Sequence, residues 1–267
     1  MEIIEARVNG IAPDIENLKA LIDEKTSAVI VQNPNFFGAV EDYTSLSEHA
    51  SSKGAVVIMC FYPVSLGILK SPGEMKAEIA VAEAQSLGMP LSFGGPYLGM
   101  MAVNKKYVRK IPGRIVGETV DKEGKRAYVL TLQAREQHIK REKATSNICS
   151  NQGLNSLAAT VYMVTMGKEG LREVALQSTK KAHYAYEQLI KSGKFKPAFD
   201  KPFFKEFALT SDIAPEKINE ALRKENIIGG YDLGKEYPQF ENGILYAVTE
   251  KRTKDEIDKL TSVMEGI

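Results

Sequence analysis

Short apolar runs alternate with helical periodicity over the first hundred residues. Pro13 and Asp14 open a helix that places Leu18, Leu21 and Ile22 on one face. Ser27-Ala-Val-Ile-Val-Gln32 is β-branched and apolar throughout, as a buried strand requires. Asn33-Pro-Asn-Phe-Phe-Gly38 breaks the chain as a loop. A polar helix over about 41–53 follows and stops at Gly54. Ala55-Val-Val-Ile-Met-Cys-Phe61 gives a second buried strand, and Ile79-Ala-Val-Ala82 a third, weaker one. Such strands separated by helices predict a parallel sheet covered on both faces.

The pattern then changes. Leu91-Ser-Phe-Gly-Gly-Pro-Tyr-Leu-Gly99 reads as a loop and Met100-Met-Ala-Val103 as a strand. Pro112-Gly113 and Glu123-Gly124 mark turns, and Tyr128-Val-Leu-Thr-Leu132 is a strand running into a polar segment, 133–152. Two helices follow, near 154–166 and 171–190. The second is amphipathic through Leu171, Val174, Ala175, Ala182 and Leu189. Residues 194–205 read as a connection. The tail then gives a strand at 206–210, a helix at 215–226, a bend at 227–231, a strand at 244–248 and a last helix capped by Thr253. The expected division is a large α/β domain over 1–193 and a small α+β domain over 194–267.

Composition narrows the classes. With 35 Lys+Arg against 34 Asp+Glu, the net charge of +1 advertises neither nucleic acid nor an anionic membrane. No apolar run approaches the roughly 18 residues of a membrane span. Nor does the N-terminus resemble a secretory signal, so a cytoplasmic protein is expected. Two cysteines exclude a disulfide scaffold, and with three histidines they offer no standard zinc spacing.

Candidate chemistry concentrates in two places. Gly94, Gly95 and Gly99 permit close backbone approach, as in phosphate-cradling loops, although a plain turn explains them at least as well. The run Arg135-Glu-Gln-His-Ile-Lys-Arg-Glu-Lys-Ala-Thr-Ser-Asn-Ile-Cys-Ser-Asn-Gln152 is either a solvated helix or the lining of a polar cleft. His138 has the chemistry of an acid or base. His49 and His183 fall on surface helix faces. Cys149 has no visible base, and Cys60 belongs to the core.

That polar run carries a resemblance, together with Gly94-Gly-Pro-Tyr-Leu-Gly99, Pro112-Gly-Arg-Ile-Val-Gly-Glu-Thr119 and Leu130-Thr-Leu-Gln-Ala134. These segments closely resemble the alpha subunit (subunit 1) of the glycine cleavage system P-protein, the decarboxylating glycine dehydrogenase. Gln32-Asn-Pro-Asn-Phe-Phe-Gly38, Pro72-Gly-Glu74 and Pro202-Phe-Phe-Lys-Glu-Phe207 extend it from near residue 10 to the C-terminus. The resemblance implies a PLP-dependent transferase fold of type I, aspartate-aminotransferase-like, with an incomplete large domain. It implies a cytoplasmic oxidoreductase subunit of glycine catabolism, paired with a beta subunit that carries the PLP lysine. The pair would decarboxylate glycine and pass the aminomethyl group to the lipoyl arm of H-protein.

Two departures from the family accompany it. The chain begins just before the Asn33-Pro34 loop, as a C-terminal part, a split gene product or a truncation does. Pro72-Gly-Glu-Met-Lys-Ala-Glu-Ile-Ala-Val-Ala-Glu-Ala-Gln85 is poorer in Gly and Asp than the family usually shows.

PLP needs a lysine amine for its Schiff base and a carboxylate opposite the pyridine nitrogen. By resemblance the lysine precedes the Gly-Gly-Pro loop, where Ala82-Glu-Ala-Gln-Ser-Leu-Gly88 puts Ser86 at its place. The carboxylate ends the preceding strand, where Cys60-Phe-Tyr-Pro63 puts Tyr62. The expectation is therefore no covalent PLP in this chain and inactivity alone. The shared site is expected to draw on His138, Arg135 and Arg141 for catalysis and on Lys143, Thr145, Asn147 and Asn151 for lining. Gly94 and Gly95 would lie against the partner's PLP. The rival expectation is a structural or assembly partner, or an inactive truncated piece, that contributes no site residue.

Overall fold

The structure, a computed structural model, describes residues 2–6, 14–144 and 152–267. Helix α1 (Ile15–Ala20) begins where the Asp14 carboxylate accepts the Glu16 and Asn17 N–H groups. Its Ile15 and Leu18, with the following Ile22, pack inward, whereas Leu21 is half exposed, a departure from the expected face. Strands β1 (Ala28–Asn33), β2 (Val56–Phe61) and β3 (Ile79–Glu83) are parallel, with helix α2 (Thr44–Ser52) crossing between the first two. Val57 and Met59 of β2 are fully buried against Leu46 and Ala50 of α2. Strand β4 (Gly99–Val103) returns antiparallel to β3, so the sheet is mixed rather than wholly parallel. The sheet is also covered unevenly: Ile30 on edge strand β1 is 69% exposed.

The turn residues at 112–113 and 123–124 bracket a strand that the sequence reading left out. Strands β5 (Ile115–Val120) and β6 (Arg126–Thr131) form a hairpin, closed where the Asp121 carboxylate accepts the Glu123 and Lys125 N–H groups. Its Val116, Val120, Tyr128 and Leu130 are exposed. A one-turn helix, α3 (Gln137–Lys140), follows.

Helix α4 (Gly153–Lys191) is broken at Gly167, whose φ of 62° and ψ of −176° only glycine adopts at ease. Two helical halves result, as the periodicity predicts. The first half leaves Leu154, Leu157, Val161 and Val164 exposed along one stripe. The second buries Ala175, Ala182, Ala185 and Leu189.

The remaining strands form a second, antiparallel sheet in the order β7-β8-β10-β9. These are β7 (Phe195–Pro197), β8 (Glu206–Ser211), β9 (Tyr231–Asp232) and β10 (Gly243–Ala247). Strand β7 lies inside the expected connection, with Phe195 buried. Helices α5 (Pro215–Lys224) and α6 (Lys254–Glu265) cover this sheet, and Thr253 and Glu256 close a reciprocal capping box at the start of α6. Phe207, Leu209, Ile218, Leu222 and Ile244 form its core, each fully buried. Burial of side chains of this size is worth about 1.5–3 kcal/mol apiece.

Both helical histidines differ from their expected surface placement. His183 stacks on Phe203 with ring centroids 4.0 Å apart, and the Phe203 carbonyl lies 3.1 Å from its Nε2. His49 on α2 is half-buried.

Candidate active site

In an open α/β sheet, loops at the carboxyl ends of parallel strands leave a crevice for ligands. A cleft of about 1240 Å³ occupies that position here. Gln32 at the end of β1, Cys60 in β2 and Glu83 at the end of β3 contribute to its wall. Tyr62 follows β2 directly, and Ser86 lies in the loop after β3. Tyr162 and Val174 of α4 line it, and the second sheet adds Lys205 and the turn at 249–251. Cys60 is thus half-buried on a cleft wall and not in the core as expected, because β2 turns this side of its C-terminal end to the crevice. Burial pushes its thiol pKa up.

The local chain explains the placements. Pro63 starts a tight turn after β2, with the Ser65 N–H and hydroxyl donating to the Tyr62 carbonyl at 3.0 and 2.7 Å. That bonding fixes the Tyr62 backbone where the strand ends. The Glu83 carboxylate accepts the Gln85 and Leu98 N–H groups at 2.9 and 3.0 Å, so it holds the loop rather than facing a ligand. Gln85 donates its amide to the Pro90 carbonyl at 2.7 Å. The Ser86 hydroxyl is buried without a hydrogen-bond partner among the described residues.

Lys205 is the central cation. Its side chain is 13% exposed, with Nζ 3.3 Å from Glu206 Oε1 and 3.9 Å from the centroid of the Tyr62 ring. Burial opposes its charge, yet Glu206 and the Tyr62 ring and hydroxyl outweigh that cost and hold its pKa above the usual lysine value. Burial pushes the Glu206 carboxyl up. The Lys205 carbonyl accepts the Val248 N–H at 3.0 Å, which brings Glu250 to the same end of the second sheet. The Ser178 hydroxyl lies 3.3 Å from Glu250 Oε2 and accepts the Glu250 N–H at 3.2 Å. Burial raises the Tyr162 phenol, as do the nearby Glu250 carboxylate and Tyr62.

The residues singled out in the sequence lie elsewhere. His138 is exposed, with Nε2 3.3 Å from Gln133 Oε1, and Arg141 and Lys143 are exposed on the turn beyond it. Arg135 belongs to the turn at Gln133–Arg135. Thr145, Asn147, Asn151 and Cys149 lie outside the described residues. Gly94 is exposed and Gly95 half-buried in one turn, with the Gly94 N–H donating to the Tyr97 hydroxyl at 3.2 Å. None of the described members of this set lines the cleft. Conversely, Lys205, Glu250 and Tyr162 escaped the sequence reading. The available signal for Lys205 was a charged pair inside the apolar run Phe203-Phe-Lys-Glu-Phe207. Among the described residues no group of His, Cys, Asp or Glu is placed to hold a metal, and no helix is long and apolar enough to cross a membrane.

The sequence profile described as "Glycine cleavage system P-protein" matches residues 1–264. The chain belongs to the glycine cleavage system P-protein family. Relatives named "Probable glycine dehydrogenase (decarboxylating) subunit 1" share 52% identity in Desulforamulus reducens and 52% in Carboxydothermus hydrogenoformans. Each match takes in 100% of this chain, which spans about 60% of the length of these curated relatives. A crystal structure of glycine decarboxylase (P-protein) of the glycine cleavage system in inhibitor-bound form is 44% identical, with a TM-score of 0.86. That match covers 92% of this chain and 56% of the other. A NifS-like protein, 15% identical with a TM-score of 0.66, covers 95% of this chain and 64% of its own, and shows the fold alone. The architecture of this P-protein family member is the PLP fold of type I, as expected.

Proposed function

We propose that this chain is a subunit of glycine decarboxylase that forms no covalent bond to PLP and acts with a PLP-carrying beta subunit. The observation that carries the reading is the donor set of the cleft. Tyr62 stands at the end of β2, and the loop after β3 offers Gln85 and Ser86 but no lysine over 84–91. Lys205 does line the cleft, but Glu206 and Tyr62 hold its ammonium, whereas a Schiff base forms from a neutral amine. These residues do not fit covalent PLP. PLP held by the beta subunit would supply the electron sink that loss of CO2 from glycine requires. The aminomethyl group passes to lipoylated H-protein.

In this reading the segment 135–152 faces the partner's site. Arg135, Arg141 and Lys143 hold phosphate or the glycine carboxylate, and His138 positions or moves a proton. Thr145, Asn147 and Asn151 orient substrate, and Gly94 and Gly95 approach the partner's PLP. Support comes from the exposure of His138, Arg141 and Lys143 beside a hairpin that is itself exposed. A two-stranded hairpin is marginal without a third layer, and a partner chain supplies one.

The test is co-expression with a beta subunit, followed by exchange of labelled bicarbonate into glycine. Exchange in the complex, and none by either chain alone, is the expected result. Assembly without exchange supports the scaffold reading instead.

A further inference from the structure

We infer that the basic segment 105–114 is a docking surface for an acidic face of the lipoyl-bearing carrier protein. This assignment rests on the reading of the chain as a glycine decarboxylase subunit, and it gives that reading's carrier a place to dock.

The chain is nearly neutral as a whole, yet its charges are segregated here. Lys105, Lys106, Arg109, Lys110 and Arg114 fall within one short stretch, and no Asp or Glu occurs over 84–117. Lys106 is spent internally, with Nζ 2.7 Å from Oε1 of the buried Glu78. The other Glu78 oxygen accepts the Val57 N–H at 2.7 Å, so this contact pins the segment to the sheet. Lys105, Arg109, Lys110 and Arg114 are exposed and make no ion pair among the described residues.

Tight turns concentrate these cations. The N–H groups of Tyr107, Val108 and Lys110 each donate three residues back, to Asn104, Lys105 and Tyr107. At about 2 Å of advance per residue, Lys105 and Lys110 stand on the order of 10 Å apart. That is about one Debye length at physiological salt. The cations therefore repel one another on the isolated chain, and an acidic face relieves that repulsion.

The segment also leads to the residues assigned above to the partner's site. Strand β4 is antiparallel and Val103 pairs with Ile79 at the start of β3, so the segment begins at the end of the sheet opposite the cleft. It then enters the hairpin, whose base pairs Ile115 with Thr131. Arg114 thus precedes the very residue that faces the chain leaving toward 135–143. Lys140, Arg141 and Lys143, all exposed, continue the basic character on that departing arm.

Charge fits a carrier better than a permanent subunit. A carrier that collects one group per turnover must dock and leave, and charge complementarity speeds encounter more than it lengthens residence. A permanent subunit is held by apolar area, which this chain offers elsewhere at Ile30, Leu154 and Val164. Single-stranded nucleic acid gains affinity from exposed rings, whereas the segment's single ring, Tyr107, is half-buried.

The test uses the complex with a beta subunit, glycine as donor, and either lipoylated H-protein or free lipoamide in its disulfide form as acceptor. In the triple variant Lys105→Glu, Arg109→Glu, Lys110→Glu the KM for lipoylated H-protein should rise about tenfold or more, with kcat at saturation retained. Transfer to free lipoamide, which has no docking face, should be unchanged. So should the urea midpoint of the chain, since all three side chains are exposed and unpaired. In the wild-type complex the KM for H-protein should rise with ionic strength while that for lipoamide stays flat. Should the triple variant not fold, Lys105→Gln with Lys110→Gln and the salt series decide the matter. A KM for H-protein that charge reversal leaves unmoved, or that salt leaves unmoved, overturns the inference, even where the segment binds an RNA oligonucleotide. No transfer to either acceptor by the wild-type complex would instead overturn the glycine decarboxylase reading beneath it.

Discussion

Lys205 Nζ lies 3.9 Å from the centroid of the Tyr62 ring, so the residue just before β8 closes over the residue just after β2. One cation–π contact thus joins the two sheets at the back of the cleft. The rings of Tyr62 and Phe204 extend it, 6.0 Å apart. Tyr62 is the residue at which the resemblance leads one to expect a carboxylate, and the Lys205 ammonium lies over its ring.

Removing that cation should be costly. Lys205→Met leaves the Glu206 carboxylate in an apolar site without its partner, and loss of one member of a buried pair costs about 3 kcal/mol or more. Burial already raises the Glu206 carboxyl above the usual carboxylate range, and it rises further without Lys205. A raised folded-state pKa means that the folded chain binds the proton more tightly than the unfolded chain. The deficit of the variant should therefore be full near neutrality and shrink as pH falls toward the usual carboxylate range. Urea unfolding at several pH values checks this, and addition of Glu206→Gln should restore most of the loss at pH 7.

Gly38 is expected to be irreplaceable for a reason close to the same pair. Its φ is +85°, and a Cβ there would meet the Glu206 carbonyl oxygen at 1.9 Å. Gly38→Ala should lower stability by about 4 kcal/mol, through backbone strain and displacement of β8. Thermal unfolding of the purified variant measures it, and a loss below about 1 kcal/mol would contradict the packing described.

The exposed apolar surface predicts association of the isolated chain. Neither β1 nor β4 has an outer partner strand among the described residues. Ile30 on β1 is 69% exposed, and Leu154 and Val164 on α4 are 79% and 78% exposed. Bare edges and continuous apolar stripes recruit other chains. Light scattering should show a mass that rises with concentration, and Val164→Glu should reduce it. A monomer at all concentrations would count against this expectation.

The segment 135–143 offers a sharper test in the assembled complex. His138→Ala and Arg141→Ala should leave stability within about 0.5 kcal/mol, since both side chains are exposed. Assembly with a beta subunit should persist. Glycine–bicarbonate exchange should fall on the order of a hundredfold, the scale of one proton-transferring or charge-stabilising group. Unchanged exchange in both variants would assign this chain to a scaffold role.

Local pattern made much of the fold legible. The β-branched runs at 27–32 and 55–61 are β1 and β2, and Thr253 caps α6. Pairing direction was not encoded locally: β4 is apolar like β3, and the connection over 84–98 is long enough for either a parallel or an antiparallel return. Strand β5 escaped notice because its residues alternate without a buried face, so no apolar run marks it. The cleft was half visible. Tyr62 and Ser86 were identified through the family resemblance and do line it. Lys205 and Glu250 lie far apart in the chain, just outside the paired strands β8 and β10, and the bond from Val248 N–H to the Lys205 carbonyl that draws them to one end has no signature in sequence.

The most direct measurement is borohydride reduction of the purified chain after incubation with PLP, followed by peptide mapping. The account predicts no stoichiometric lysine adduct within the cleft, either at Lys205, whose ammonium Glu206 and Tyr62 retain, or in the loop after β3, which has no lysine over 84–91. A single reduced adduct at one cleft lysine, formed in equimolar amount, would contradict it.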